Sequence, residues 1–286
     1  MRRIYSYKKD KGILYLVATP IGNLEDITLR ALRVLREVDI IAAEDTRHTL
    51  GLLNHFEISK PLISYYKQNE STKSEILVER LLEGKNIAVV SDAGTPGISD
   101  PGEQIVKAAI ENDIEVIPIP GACAMVNALI ASGMSTREFS FIGFLSALKK
   151  DRKYKLEDIK YETRTLIFYE APHKLKNTLE DMLEILGDRN IVLARELTKI
   201  YEEFIRGKIS EIIQRMDEVK GEFVIIVEGN DESKKDIELK ELNNLSLEEH
   251  YKFYEKNGIS KKEIIKHIAK DRGVNKNEIY QAFLDK

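Results

Sequence analysis

Three segments built from glycine, proline and other small residues, each placed after a short apolar run, restrict this chain more than any other feature. Thr19-Pro20-Ile21-Gly22-Asn23 follows Ile13–Ala18, Ser91-Asp92-Ala93-Gly94-Thr95-Pro96-Gly97 follows Asn86–Val90, and Pro118-Ile119-Pro120-Gly121-Ala122-Cys123-Ala124 follows Ile114–Ile117. Short apolar runs closed by such residues read as buried strands of a parallel sheet. In an open α/β sheet ligands sit beyond the carboxyl ends of the strands, so three such loops in one half of the chain are expected to converge on one ligand. Small residues let the backbone approach that ligand closely. Taken singly, each loop also reads as an ordinary strand-to-helix turn. Ser91–Gly102 asks for more, with three glycines, two prolines and two aspartates in twelve residues. Neither G-x-x-x-x-G-K-[ST] nor a G-x-G-x-x-G opening a helix after a strand occurs, which argues against a P-loop or Rossmann site.

The remaining pattern predicts an α/β protein. Helical spacing covers Ile27–Val38, a strand follows at Ile40–Ala43, and further helices are expected at Ser74–Leu82, ending at Gly84, and at Gly102–Asn112. Thr165–Tyr169, Ile191–Leu193 and Phe223–Val227 read as strands of a second sheet around a helix at Leu175–Leu186. We therefore expect two α/β domains, residues 1–120 and 121–230, with the boundary near Gly121, which suits a chain of 286 residues. Residues 231–286 form an extension: the polar run 231–236 reads as a linker, and Ser260–Lys270 and Lys276–Leu284 as two helices about Gly273, similar to a helix-turn-helix. With eight basic and five acidic residues over 255–286, packing on the body is preferred to nucleic-acid binding for this pair.

At the three loops and beyond, the chain resembles the tetrapyrrole-methylase-like (class III) S-adenosylmethionine-dependent methyltransferases. Within them it looks like the branch that methylates the 2′-hydroxyl of a cytidine in 16S rRNA, at the decoding region of the small ribosomal subunit. The match is carried in order by Leu14–Leu29, Ala42–Arg47 (AAEDTR), Ser91–Gly102 (SDAGTPGISDPG), Ile119–Leu129, Thr165–Lys174 (TLIFYEAPHK) and Ala194–Lys199 (ARELTK). Ser91 departs from the glycine expected before the aspartate. The resemblance implies a cofactor cleft between two domains, S-adenosylmethionine as cofactor, 16S rRNA of the small subunit as partner, and a homodimer. It places cofactor contacts at Pro20 and Ile21, at Asp92, Ala93, Gly94 and Thr95, at Ala122, Cys123 and Ala124, and at Phe168 and Ala194. Asp92 is the foremost of these, because a carboxylate there can accept hydrogen bonds from the cofactor's ammonium group or hydroxyls; its plainer role is to cap the turn.

Methyl transfer from a sulfonium needs alignment and no metal, and no metal site is expected. A ribose hydroxyl needs a base to take its proton, so a carboxylate, histidine or lysine should stand near it. Asp45, after the strand Ile40–Ala43, is the first candidate, with Arg47 to hold a phosphate; an Asp-Thr pair at a strand end is equally a helix N-cap. Glu170 and His173 come next, then Arg195, Glu196 and Lys199, all just after second-domain strands.

The net charge of −4, from 44 basic and 48 acidic residues, is unevenly spread. Residues 1–12 hold Arg2, Arg3, Lys8, Lys9 and Lys11 against Asp10, and residues 144–176 hold seven lysines and two arginines against five acids. Phosphate contacts need local positive charge. Lys149, Lys150, Arg152, Lys153 and Lys155, with Arg47, His173 and Arg195, are therefore the RNA-binding candidates, the alternative being a solvated loop with no partner. Cys123 is the only cysteine, so no internal disulfide forms, and as a small packing residue it needs no reactive role. No apolar run approaches the roughly 18 residues of a membrane span, and a cytoplasmic protein is expected. Two other readings stand beside the rRNA methyltransferase: a methyltransferase of the same fold acting on a small tetrapyrrole precursor, and a non-catalytic ribosome-binding factor.

Overall fold

The computed structural model describes residues 11–215, 221–256 and 258–284. The first sheet contains β1 (Ile13–Val17), β2 (Ile40–Ala43), β3 (Leu62–Ser64), β4 (Ile87–Val90) and β5 (Glu115–Ile119), connected through α1 (Leu29–Glu37), α2 (Thr46–His55), α3 (Glu70–Leu82) and α4 (Glu103–Glu111). Every pairing in it is parallel, in the order β3-β2-β4-β1-β5. The chain runs outward to β3, returns to fill the gap with β4 and crosses β1 to reach β5. The order thus reverses beside β1, where a crevice opens at the strands' carboxyl ends. Apolar clusters lie on both faces, which is why β4 (Ile-Ala-Val-Val) is buried at every position.

After α5 (Ala124–Ser132) comes a second sheet of β6 (Phe139–Phe144), β7 (Thr165–Glu170), β8 (Asn190–Arg195), β9 (Glu203–Lys208) and β10 (Phe223–Val227), ordered β6-β7-β10-β8-β9. Only β6 and β7 pair in parallel. Ala128 and Leu129 of α5 pack on one face against Ile167, Val192 and Val224. The other face packs against α6 (Lys149–Asp158), α7 (Pro172–Leu186) and α8 (Ile209–Arg215), around Phe168, Leu179 and Ile225. The chain therefore leaves the first sheet between β5 and α5, and Gly121 sits at that passage because a Cβ there would fall 2.9 Å from the Ala18 Cβ.

Local chemistry shifts several boundaries from the sequence pattern. α1 starts at Leu29 and not at Ile27, because Ile27 closes a 3-10 turn (Leu24–Asp26) and the Thr28 hydroxyl accepts the Ala31 N–H at 3.1 Å. α3 extends back to Glu70, whose buried carboxylate accepts from the Tyr65 hydroxyl at 3.1 Å and the Gly102 N–H at 2.8 Å. β6 and β9 are the edges of the second sheet, half-exposed and mixed in character, so their apolar signal is weak.

The stretch read as a linker already enters α9 (Lys234–Asn244), started by a capping box between Ser233 and Asp236. α10 (Leu247–Lys256), α11 (Lys261–Arg272) and α12 (Lys276–Leu284) follow, with Gly273 in the left-handed conformation between the last two (φ 65°). The expected packing of this pair on the body is corrected. Ile264, Ile265, Ile268 and Ile279 share their core with Leu247, Tyr251 and Tyr254, so α10 supplies the apolar surface and the extension carries a core of its own. Among the described residues, no helix is long and apolar enough to cross a membrane.

Candidate active site

The three small-residue loops meet. Thr19 and Gly94 exchange backbone hydrogen bonds at 2.8 and 3.1 Å, and the Thr95 hydroxyl donates to the Ala122 carbonyl at 3.0 Å. Gly94 takes φ 83°, and a Cβ on it would stand 3.1 Å from the Ile21 Cγ2 and 3.6 Å from the Ala122 carbonyl oxygen. Ile21 in turn packs with the α5 face of the second sheet, and a Cβ at Gly22 would meet the Lys199 side chain at 2.5 Å. The loops and the ends of β7, β8 and β10 enclose a cleft of about 380 Å³ between the two sheets.

Of the residues anticipated for the cofactor, Ile21, Asp92, Ala93, Gly94, Thr95, Cys123, Ala124 and Ala194 line this cleft. Pro20 and Ala122 do not line it, Ala122 holding Thr95 through its carbonyl. Phe168 is placed differently from the expectation. Its side chain is wholly buried in the helix-covered face, and the strand's alternation turns its neighbour Tyr169 to the cleft. Tyr169 accepts the Met125 N–H at 3.2 Å, meets Phe141 and Phe144 edge-on, and has its phenol pushed up to about 12 by burial.

The catalytic candidates separate in the same way. Asp45 is the N-cap of α2: its carboxylate accepts the Arg47 N–H at 2.8 Å and pairs with the Arg47 guanidinium at 2.8 Å, which holds it down at about 2. A carboxylate so occupied is a poor proton acceptor, which corrects its ranking as first candidate. Glu170 lines the cleft, but its buried carboxylate is taken by Lys174 at 2.9 Å, the Thr178 hydroxyl at 2.6 Å and the Ala171 N–H at 2.8 Å. Lys199 also lines the cleft, paired with Glu196 at 3.0 Å.

What the sequence reading passed over is a group of carboxylates on the cleft wall: Glu44, Asp100 and Glu222 beside Asp92. Burial and the Asp92 charge push the Glu44 carboxyl up. Burial, then Glu44 and Asp92, push Asp100 up to about 7, against a hydrogen bond from the Ser91 hydroxyl that pulls it down. The available signals were the second aspartate of Ser91–Gly102 and the first acid of Glu44-Asp45-Thr46-Arg47.

The basic run is a helix, α6, packed on the second sheet through Leu156, and not a loop. Arg152 is corrected as an RNA contact: it is buried, with Nε and Nη2 each 2.7 Å from Asp181 Oδ2 and Nη1 on the carbonyls of Ser146 and Ala147. Lys153 pairs with Glu184 and Lys155 with Asp158, while Lys149 and Lys150 are exposed. Arg47 and His173 are exposed too, and Arg195 pairs with Glu203 at 3.3 Å. Arg2, Arg3, Lys8 and Lys9 lie outside the described residues. Among the described residues no group of His, Cys, Asp and Glu has the arrangement of a metal site.

A parallel α/β domain and a mixed-sheet domain, with small-residue loops closing a cleft between them, define the two-domain methylase class. The family model for Tetrapyrrole (Corrin/Porphyrin) Methylases matches residues 13–213. The solved uroporphyrin-III C-methyltransferase of Thermus thermophilus complexed with S-adenyl homocysteine shares the fold, with TM-score 0.55 and 17% identity over 76% of this chain and 97% of that one. The chain is 54% identical to the ribosomal RNA small subunit methyltransferase I of Halalkalibacterium halodurans, over 98% of this chain and 97% of the relative. The protein of the same name from Bacillus subtilis is 51% identical over 99% and 98%. The chain belongs to the ribosomal RNA small subunit methyltransferase I family.

The cofactor of this family is S-adenosylmethionine, and the cleft fits it. The molecule carries a sulfonium and an ammonium charge, and four carboxylates with an apolar and aromatic wall complement both charge and adenosine. Asp92, the Gly94 and Thr95 backbone and Ile21 are the residues that would hold it, and the methyl group is what it supplies.

Proposed function

We propose that the protein methylates the ribose 2′-hydroxyl of a cytidine in 16S rRNA, at the decoding region of the small ribosomal subunit, using S-adenosylmethionine. The observation that carries this reading is the near-full-length likeness to small-subunit rRNA methyltransferases, against 17% identity to the uroporphyrin enzyme, which speaks only for the fold. The surface supports it: Arg47, with nine-tenths of its side chain exposed, follows Glu44 of the cleft wall, and the exposed Lys149 and Lys150 offer further phosphate contacts. Asp92, Gly94 and Thr95 hold the cofactor in this reading, and Tyr169 takes the place expected of Phe168. A target held in a base pair has to be splayed out before its ribose can enter. The protein acts in the cytoplasm as a homodimer, which the exposed Ile200 and Tyr201 support.

The test is transfer of labelled methyl from S-adenosylmethionine to small subunits lacking the modification, with Asp92→Ala as control and nuclease mapping of the label. Label on one cytidine ribose, absent with the variant, is the expected result. Cofactor binding without transfer to subunits or naked rRNA overturns it in favour of a small-molecule acceptor. Sedimentation of the pure protein checks the dimer.

A further inference from the structure

Resting on that reading, we propose that Asp100 is the general base of the reaction, its carboxylate accepting the proton of the acceptor hydroxyl. The lone pair of that oxygen forms the new C–O bond, the S–C bond breaks with its pair going to sulfur, and the hydroxyl proton passes to a carboxylate oxygen of Asp100.

The cleft wall narrows the choice. Glu170 is held by three donors and Glu196 by Lys199 and the Glu222 N–H, while Lys199 is committed to its ion pair. The Tyr169 phenol is kept protonated. Asp92 Oδ1 accepts the Asp45 N–H at 2.9 Å and is thereby fixed at the β2 and β4 ends. Glu222 is exposed at the rim. Glu44 and Asp100 remain, and their placement differs. Glu44 directly follows β2, beside Asp92 in the first domain, whereas Asp100 rides on the part of its loop that reaches the second domain, where a Cβ on Gly143 of β6 would lie 3.3 Å from the Ser99 Oγ. That loop is rigid: the Gly97 N–H donates to the Pro101 carbonyl at 3.1 Å, the Gly102 N–H to Glu70 at 2.8 Å, and Ser99 is held at φ 68°.

Its ionisation suits the task. The groups facing Asp100 are Glu44 from the β2–α2 turn, Asp92 and the Ser91 hydroxyl from its own loop, Glu222 before β10 and the Tyr169 phenol from β7. They leave its carboxyl near neutrality, where a base combines availability with strength. A cationic cofactor among these carboxylates favours ionised Asp100, and loss of that charge on methyl transfer favours the protonated form. The cleft therefore carries the same net charge before and after the step.

The test compares wild type, D100N, D100E and E44Q in single-turnover transfer to unmodified small subunits, with calorimetric binding of S-adenosylmethionine in two buffers of different ionisation heat. D100N is expected to lower the transfer rate about 10²–10⁴-fold, the range for a general base, while cofactor affinity, which loses one of four carboxylates, falls by a much smaller factor. Wild type is expected to release a proton on binding the cofactor near pH 7, and D100N to release none. D100E is expected to keep measurable transfer with a displaced pH profile. Transfer by D100N within about tenfold of wild type, loss of affinity in proportion to rate, or the larger loss in E44Q overturns the assignment while leaving the methyltransferase intact. Absence of transfer by wild type itself overturns the function and the assignment together.

Discussion

Thr19 and Gly94 face one another across the cleft floor, each N–H donating to the other's carbonyl, at 2.8 Å from Thr19 and 3.1 Å from Gly94. This one antiparallel bridge between loops that follow parallel strands ties the first loop to the second. The Thr95 hydroxyl extends the tie to the third loop at Ala122. A rigid three-loop frame lets the cleft meet a ligand without ordering three separate segments on binding.

Gly94→Ala tests the frame. With φ at 83° and Ile21 3.1 Å from the new Cβ, the substitution is expected to cost about 1–2 kcal/mol of stability through left-handed strain. Displacement of the Thr19 bridge should weaken S-adenosylmethionine binding at least tenfold. Thermal unfolding and calorimetry read the two effects separately.

Arg152 and its neighbours should part company. Arg152→Met leaves the buried Asp181 carboxylate with only the longer pairs to Lys149 and Lys153, at 4.0 and 3.9 Å, and is expected to destabilise by about 3 kcal/mol. Replacing Lys149, Lys150 and Lys155 together by Ala should leave stability within about 0.5 kcal/mol of wild type per site. If these lysines meet phosphates, the same triple change flattens the log-log salt dependence of subunit binding by about 2–3. An unchanged slope would remove α6 from the RNA surface.

Asp100 also imposes a pH dependence on the cofactor-free protein. Its folded carboxyl titrates at about 7, above its ordinary 3.8, so the folded state holds a proton that the unfolded chain has already lost. The stability due to this group is complete below about pH 4 and is lost as pH rises through about 7. Asp100→Asn is therefore expected to raise the melting temperature at pH 8 and to leave it nearly unchanged at pH 4. A melting temperature that falls at pH 8 would contradict the sign.

Cys123 lines the cleft and is partly exposed. Maleimide labelling of the native protein should modify this single thiol, and saturating S-adenosylmethionine should slow the reaction at least tenfold. Labelling at the same rate with and without cofactor would place the ligand elsewhere.

What could be read without coordinates is what depends on near neighbours in the chain. Apolar runs such as Ile87–Val90 and Phe223–Val227 declare buried strands, glycines and prolines at 91–102 declare a loop, and the isoleucine spacing of α11 declares its buried face. Those signals suffice for two sheets and for three loops facing one ligand. What they leave open is decided by partners distant in sequence. Glu70 starts α3 because Tyr65 and Gly102 bond its carboxylate, and Arg152 leaves the charged surface because Asp181 of α7 lies under it. Phe168 and Tyr169 exchange roles because the second sheet presents one face to α6, α7 and α8 and the other to α5 and the cleft. Asp100 looks like any loop aspartate until folding brings Glu44, Asp92 and Glu222 around it and removes water. Burial and charge proximity are sums over the folded molecule, and no local pattern in the chain encodes them.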